Sequence, residues 1–128
     1  MNANQLGVLV GRSLLAGEST GVCLRLVRQF IMDTERLHPL GVTENVFEPS
    51  PLTGNRGWDA LIAGVVEDLA YRHGVKVPQW AMEPERSTDD CWWFVTSIPA
   101  LHPTAFVETP ASLANRGVFI RRASLVNV

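Results

Sequence analysis

The chain has 128 residues, of which 46% are apolar and 19% charged, with a formal net charge of −2. That length suits one compact domain, and that balance excludes a disordered polyampholyte. The slight acidity also removes any overall attraction to a phosphate backbone, which nucleic-acid binders show as a basic surface.

Leu6, Leu9, Val10 and Leu14 recur at three- and four-residue steps and predict a first amphipathic helix, stopped at Gly17. A second helix starts at Ser19 or Thr20, both of which can cap free backbone N–H groups. Its inward face reads Cys23, Leu26, Val27, Phe30 and Ile31, and Arg25, Arg28, Gln29, Asp33, Glu35 and Arg36 lie outside. Pro39 ends it, because proline disfavours helix in the residue before it.

Residues 38–56 read as a long loop, broken by Pro39, Gly41, Pro49, Pro51 and Gly54. Val42, Val46 and Phe47 could pin it to the core. A connection of this length is either a boundary after the N-terminal helical pair or a loop with a binding role.

The third helix has the clearest pattern. Trp58, Leu61, Ile62, Val65, Val66 and Leu69 follow the i, i+3, i+4, i+7 template without a miss, and Glu67, Asp68 and Arg72 lie off the stripe. Gly74 and Pro78 give its stop. This helix, over 58–73, is expected to be the spine of the core, with helix 19–36 packed on it.

Beyond Pro78 the chain turns irregular and rich in tryptophan and proline. A short helix fits 101–107, restricted by Pro103 to a start near that residue. Thr109 reads as an N-cap before Pro110 at the first helical position, with Gly117 as the stop. Val118-Phe119-Ile120 reads as a short extended piece, and 123–126 as a last helical turn. The fold class is therefore all-α: mostly helical, with an irregular Trp/Pro-rich segment and at most one short strand, in a single domain over 1–128.

The N-terminus lacks a signal-peptide pattern, no apolar run is long enough to span a membrane, and the expected location is the cytoplasm. Cys23 and Cys91 are too few for a disulfide framework and read as reduced, buried thiols. Gly7 and Gly11 have small-residue spacing of no evident consequence. Arg116, Arg121 and Arg122 form a modest basic cluster, read as solvated surface.

No catalytic constellation rises above its structural explanation. Both the dinucleotide Gly-x-Gly-x-x-Gly and the phosphate-loop pattern are missing. His38, His73 and His102 have no partner at chelating spacing, so no metal is expected. Asp89 and Asp90 beside Cys91 would suppress a thiolate, the wrong direction for a nucleophile. Glu83 and Glu85 flank Pro84 and read as solvated charge. No catalytic residue, cofactor or metal ligand is assigned.

A helix-turn-helix over residues 5–37 would present Arg25 and Arg28 to phosphates. Its turn glycines are off the motif's spacing, and a third supporting helix is missing, so DNA binding by this chain alone is not expected. The most unusual feature is the cluster Trp80, Trp92, Trp93 and Phe94. Trp92 and Trp93 cannot both point inward from one strand face. A core plug is the favoured reading for Trp80 and Trp92, and core or contact surface stays open for Trp93.

These residues carry a resemblance. Trp58-Asp59-Ala60-Leu61-Ile62-Ala63-Gly64-Val65-Val66-Glu67, Val77-Pro78-Gln79-Trp80, Glu83-Pro84-Glu85-Arg86, Trp92-Trp93-Phe94-Val95, Pro99-Ala100-Leu101 and Arg116-Gly117-Val118-Phe119-Ile120 resemble a small actinobacterial antitoxin-like group. The segment Leu24-Arg25-Leu26-Val27-Arg28-Gln29-Phe30 does too. Members stand alone or follow a helix-turn-helix regulator. The resemblance implies a partner of the nucleotidyltransferase-type toxin class and carries over no catalytic residue.

The functional expectation is thus a non-catalytic protein-binding module of the antitoxin-like kind. Its expected contact residues are Trp80, Glu83, Glu85, Asp89, Asp90, Trp92 and Trp93, the carboxylates facing a basic surface on the partner. The alternatives are a DNA-binding regulator using the N-terminal helices and a small-molecule sensor whose tryptophans line a pocket.

Overall fold

The computed structural model describes residues 1–37, 41–88 and 92–126. Six α-helices among the described residues run α1 (Ala3–Leu15), α2 (Thr20–Arg36), α3 (Arg56–Arg72), α4 (His102–Glu108), α5 (Ala111–Ala114) and α6 (Arg122–Leu125). Two two-residue strands, β1 (Trp93–Phe94) and β2 (Val118–Phe119), pair in parallel with Trp93 opposite Val118. The mostly helical class agrees with the sequence, and the strand count exceeds it by one.

The helix ends follow local chemistry. Asn2 and Gln5 form a reciprocal capping box at the start of α1, and Ser19 rather than Thr20 caps α2 by accepting from the Val22 N–H. Gly17 and Gly74 adopt positive φ after α1 and α3. There the Glu18 N–H reaches the Ser13 carbonyl and the Val75 N–H the Ala70 carbonyl, both at 2.9 Å, which satisfies carbonyls the helix leaves free.

α1 and α2 form an antiparallel pair laid against α3. Leu6 and Val10 of α1 and Cys23, Val27 and Phe30 of α2 are fully buried, with Leu9, Leu14, Leu26 and Ile31 half-buried. Burial holds the Cys23 thiol above its usual pKa, with the Glu18 charge acting in the same direction, which suits an inert core group. α2 ends at Arg36, and Pro39, expected to end it, lies outside the described residues, as do His38 and the second thiol Cys91.

α3 departs from the amphipathic expectation. Beyond its predicted stripe it also buries Asp59, Ala60, Ala63, Gly64 and Ala70, so most of its circumference is covered. The small residues make this possible: a Cβ on Gly64 would meet the Leu113 side chain, and the Ser112 hydroxyl donates to the Gly64 carbonyl at 2.9 Å. α5 thereby sits tightly on α3. Each fully buried Leu or Ile on this helix contributes about 1.5–3 kcal/mol.

Segment 41–55 is fastened down at both ends. A 3-10 turn, Glu44–Phe47, buries Val46 and Phe47, the latter edge-on to Phe30 at 6.5 Å. Asp59, itself buried, accepts from the Thr53 N–H and hydroxyl at 2.7 Å each. Ser50 and Pro51 lie against Gly7, and Thr53 against Gly11. The small-residue pair given no role in the sequence is therefore the seat of this loop.

Two further expectations are corrected. Arg116 is only 6% exposed: its guanidinium pairs with Glu67 and donates to the Ser112 and Ala81 carbonyls at 2.8 Å each. Thr109 makes no side-chain cap on α5. Its hydroxyl instead accepts from the Ile120 N–H at 2.9 Å and reaches back to the Ala105 carbonyl, holding the exit of β2.

At the N-terminus the Met1 ammonium meets Asp33 at 2.9 Å. Burial would raise the Asp33 pKa, but hydrogen bonds from Met1 and Gln29 and the charges of Met1 and Arg36 outweigh it, and the carboxyl is held below its usual range. A depressed carboxylate stabilises the fold above its unfolded pKa of about 4 and loses that contribution as pH falls through its folded value. Below about pH 4 the urea midpoint of the wild type is thus expected to fall more steeply than that of Asp33→Asn. Parallel pH dependences in the two proteins would refute the pairing.

Candidate functional site

The tryptophan-rich segment divides into three environments. After α3 the chain makes 3-10 turns at Gln79–Met82 and Pro84–Arg86 before entering β1. Trp80 is half-buried: its indole N–H donates to the Phe47 carbonyl at 3.0 Å, and the buried Arg86 guanidinium lies 4.8 Å from the ring centroid. Arg86 also donates to the Ser50 carbonyl. Burial lowers its pKa, opposed by Asp59, Glu83 and Glu85. Trp80 is thus committed to joining the 41–55 loop to the core.

Trp93 and Trp92 diverge, as adjacent residues in an extended chain must. Trp93 turns inward, half-buried, edge-on to Trp58 at 5.3 Å and packed where a Cβ on Gly57 would stand 2.7 Å from its ring. Trp92 turns outward and is 67% exposed. The core reading favoured for Trp92 is corrected. Pairing with β2 sets strand alternation here, and alternation sends the first tryptophan to the surface.

Trp92 does not stand alone. Its ring lies 5.2 Å from Phe119, beneath it and almost fully buried, and 5.9 Å from Phe106, which is 52% exposed. Phe106 stacks on Phe119 at 5.3 Å, Phe119 on Phe94 at 5.1 Å, and Phe94 on His102 at 4.3 Å. His102 is fixed in turn by a 3.0 Å contact of Nε2 with the Thr96 carbonyl. The outcome is a continuous aromatic shelf built from β1, β2 and α4, with Trp92 and Phe106 open to solvent.

Phe94, His102, Phe106 and Phe119 were not among the expected site residues. A signal was present: from residue 91 to residue 107 the chain contains no Asp, Glu, Lys or Arg. The same run exposes Ile98 at 55% and Val107 at 80%. Depletion of charge around exposed aromatics marks the core of a protein interface.

Glu83 and Glu85 are exposed, whereas the residue after them, Arg86, is buried. Asp89 and Asp90 lie outside the described residues. Among the described residues of the expected contact set, only Trp92 joins the shelf.

A cleft of about 700 Å³ lies elsewhere, between α2, α3 and α6. Ile31, Val65, Leu113 and Leu125 line it, and Arg72 on its rim is held by Glu35 at 2.9 Å and Asp68 at 3.1 Å. No tryptophan borders it; Trp80 lines a different cleft, of about 590 Å³, with Phe47, Val77 and Pro78. Arg28, offered to phosphates in the DNA reading, donates to the Ser124 carbonyl at 3.3 Å instead. Among the described residues no three His, Cys, Asp or Glu side chains gather as a metal site, and no helix is long and apolar enough to cross a membrane.

Comparison with protein-family models, with curated proteins and with solved structures finds no match to this chain.

Proposed function

We propose that the chain is a non-catalytic protein-binding module whose contact is the aromatic shelf around Trp92 and Phe106. The observation that carries this reading is Trp92, a large indole two-thirds exposed on a stacked, charge-free aromatic base. Exposed aromatics supported from below are the usual anchors of binding energy, because the support leaves little side-chain freedom to lose on association. On the rim of the 700 Å³ cleft Arg72 is already paired with Glu35 and Asp68, whereas the shelf offers exposed aromatic surface free of charge. The resemblance to the antitoxin-like group supplies the partner class, a nucleotidyltransferase-type toxin neutralised in the cytoplasm.

Co-expression with such a protein encoded beside it tests the reading. The two should co-purify, and the chain should relieve the partner's toxicity. Trp92→Ala with Phe106→Ala should weaken the complex by at least about thirty-fold, an anchor-sized loss, while changing stability by less than about 1 kcal/mol. Trp93→Ala should do the reverse and destabilise the fold, because its ring packs on Trp58. Retention of full binding by the double variant would remove the shelf from the interface.

A further inference from the structure

The inference rests on the protein-binding reading and specifies how the partner is held. Trp93 and Val95 donate their backbone N–H groups to the Gly117 and Phe119 carbonyls at 2.8 and 3.0 Å. The backbone of Phe94, between them, therefore turns its N–H and C=O away from β2. No hydrogen bond from another described residue reaches either group. α3, α4 and α5 pack against β2, whose two residues are buried, and β1 is left on the outside. It is an open edge.

Proteins normally blunt such an edge with charge or proline. Here the stretch Trp92-Trp93-Phe94-Val95-Thr96-Ser97 contains neither, and the shelf of Trp92 and Phe106 stands beside it. The occupant must match both features. A small apolar molecule would leave the Phe94 backbone groups unanswered, and a helix has already paired its own. An extended polypeptide brings free backbone groups and apolar side chains together. We infer that an extended, apolar segment of the partner protein adds to β1 as a third strand. It exchanges N–H···O bonds with Phe94 and lays alternate side chains over Trp92 and Phe106.

The test titrates ¹⁵N-labelled protein with capped peptides that alternate valine or phenylalanine with threonine, bearing one lysine at each end. Saturable shifts centred on the Phe94 amide are expected, with slowed hydrogen exchange at that amide. Counterparts N-methylated at alternate residues should bind at least about ten-fold more weakly, the factor two backbone hydrogen bonds supply. Trp92→Ala should weaken binding of both peptide sets.

Equal binding of the methylated peptides, shifts confined to other surfaces, or no binding at about 1 mM would overturn the inference. So would concentration-dependent shifts at Phe94 in protein alone, which would give the edge to a second copy of the chain. The two proposals fail separately. A co-purifying partner that depends on Trp92 and Phe106 but leaves the Phe94 amide unprotected keeps the protein-binding reading and removes the third strand.

Discussion

Arg116→Met is expected to lower the unfolding free energy by about 3 kcal/mol, seen as an earlier urea midpoint at an unchanged slope. The guanidinium is buried and joins three parts of the fold: Glu67 on α3, the Ser112 carbonyl on α5 and the Ala81 carbonyl in the 3-10 turn before β1. Methionine fills much of the volume but answers none of these acceptors. It leaves a partly buried carboxylate and two carbonyls without a donor, and orphaned groups of this kind cost more than the pair itself contributes. Adding Glu67→Gln removes the stranded charge, so the double variant should lie above the sum of the single losses by about 1 kcal/mol or more. Strict additivity would show that Arg116 and Glu67 act independently and would refute the bridging role.

Gly7→Ala is expected to destabilise by about 2 kcal/mol, although alanine favours an exposed helix interior by about 1 kcal/mol over glycine. The sign is decided by the loop. A Cβ at position 7 would overlap Ser50 Oγ and stand 2.9 Å from Pro51 Cδ and 3.0 Å from the Pro51 carbonyl. The loop cannot retreat freely, because Arg86 holds the Ser50 carbonyl and Asp59 holds Thr53. Ser50→Ala removes the worst overlap, and Ser50 Oγ makes no hydrogen bond to a described residue. The double variant should therefore recover part of the loss in chemical denaturation. A Gly7→Ala protein more stable than wild type would mean that the loop does not seat on α1.

Whether a structural feature shows in the sequence depends on how local its signal is. Ser19 as a cap, Gly17 and Gly74 as stops and the α3 stripe were legible because a cap or a helical period involves residues within one or two turns of each other. The Trp92 and Trp93 divergence was legible for the same reason, since alternation is a property of neighbours. The direction of that divergence was not. It depends on β1 pairing with β2 across more than twenty intervening residues, and no pattern near Trp92 announces Val118 as its neighbour's partner.

The same distinction separates the candidate sites. The expected contact grouped Trp80, Glu83 and Glu85 with Trp92 because they are close in sequence. The fold instead fastens Trp80 to Phe47 and Arg86, and surrounds Trp92 with Phe106 and Phe119 from α4 and β2. Arg116 was misread as surface because an arginine reads as solvated unless its buried acceptors are known, and those acceptors come from distant segments.

By itself, then, the sequence determined the mostly helical class, the Ser19 cap, the stops at Gly17 and Gly74, the central place of α3 and the lack of a recognisable catalytic motif. Each is written in composition or in short-range periodicity. Only the tertiary structure decided which aromatic faces solvent, which arginine is buried and which strand edge stays open. Those outcomes depend on contacts between segments far apart in the chain, where burial of one group is settled by the shape of another.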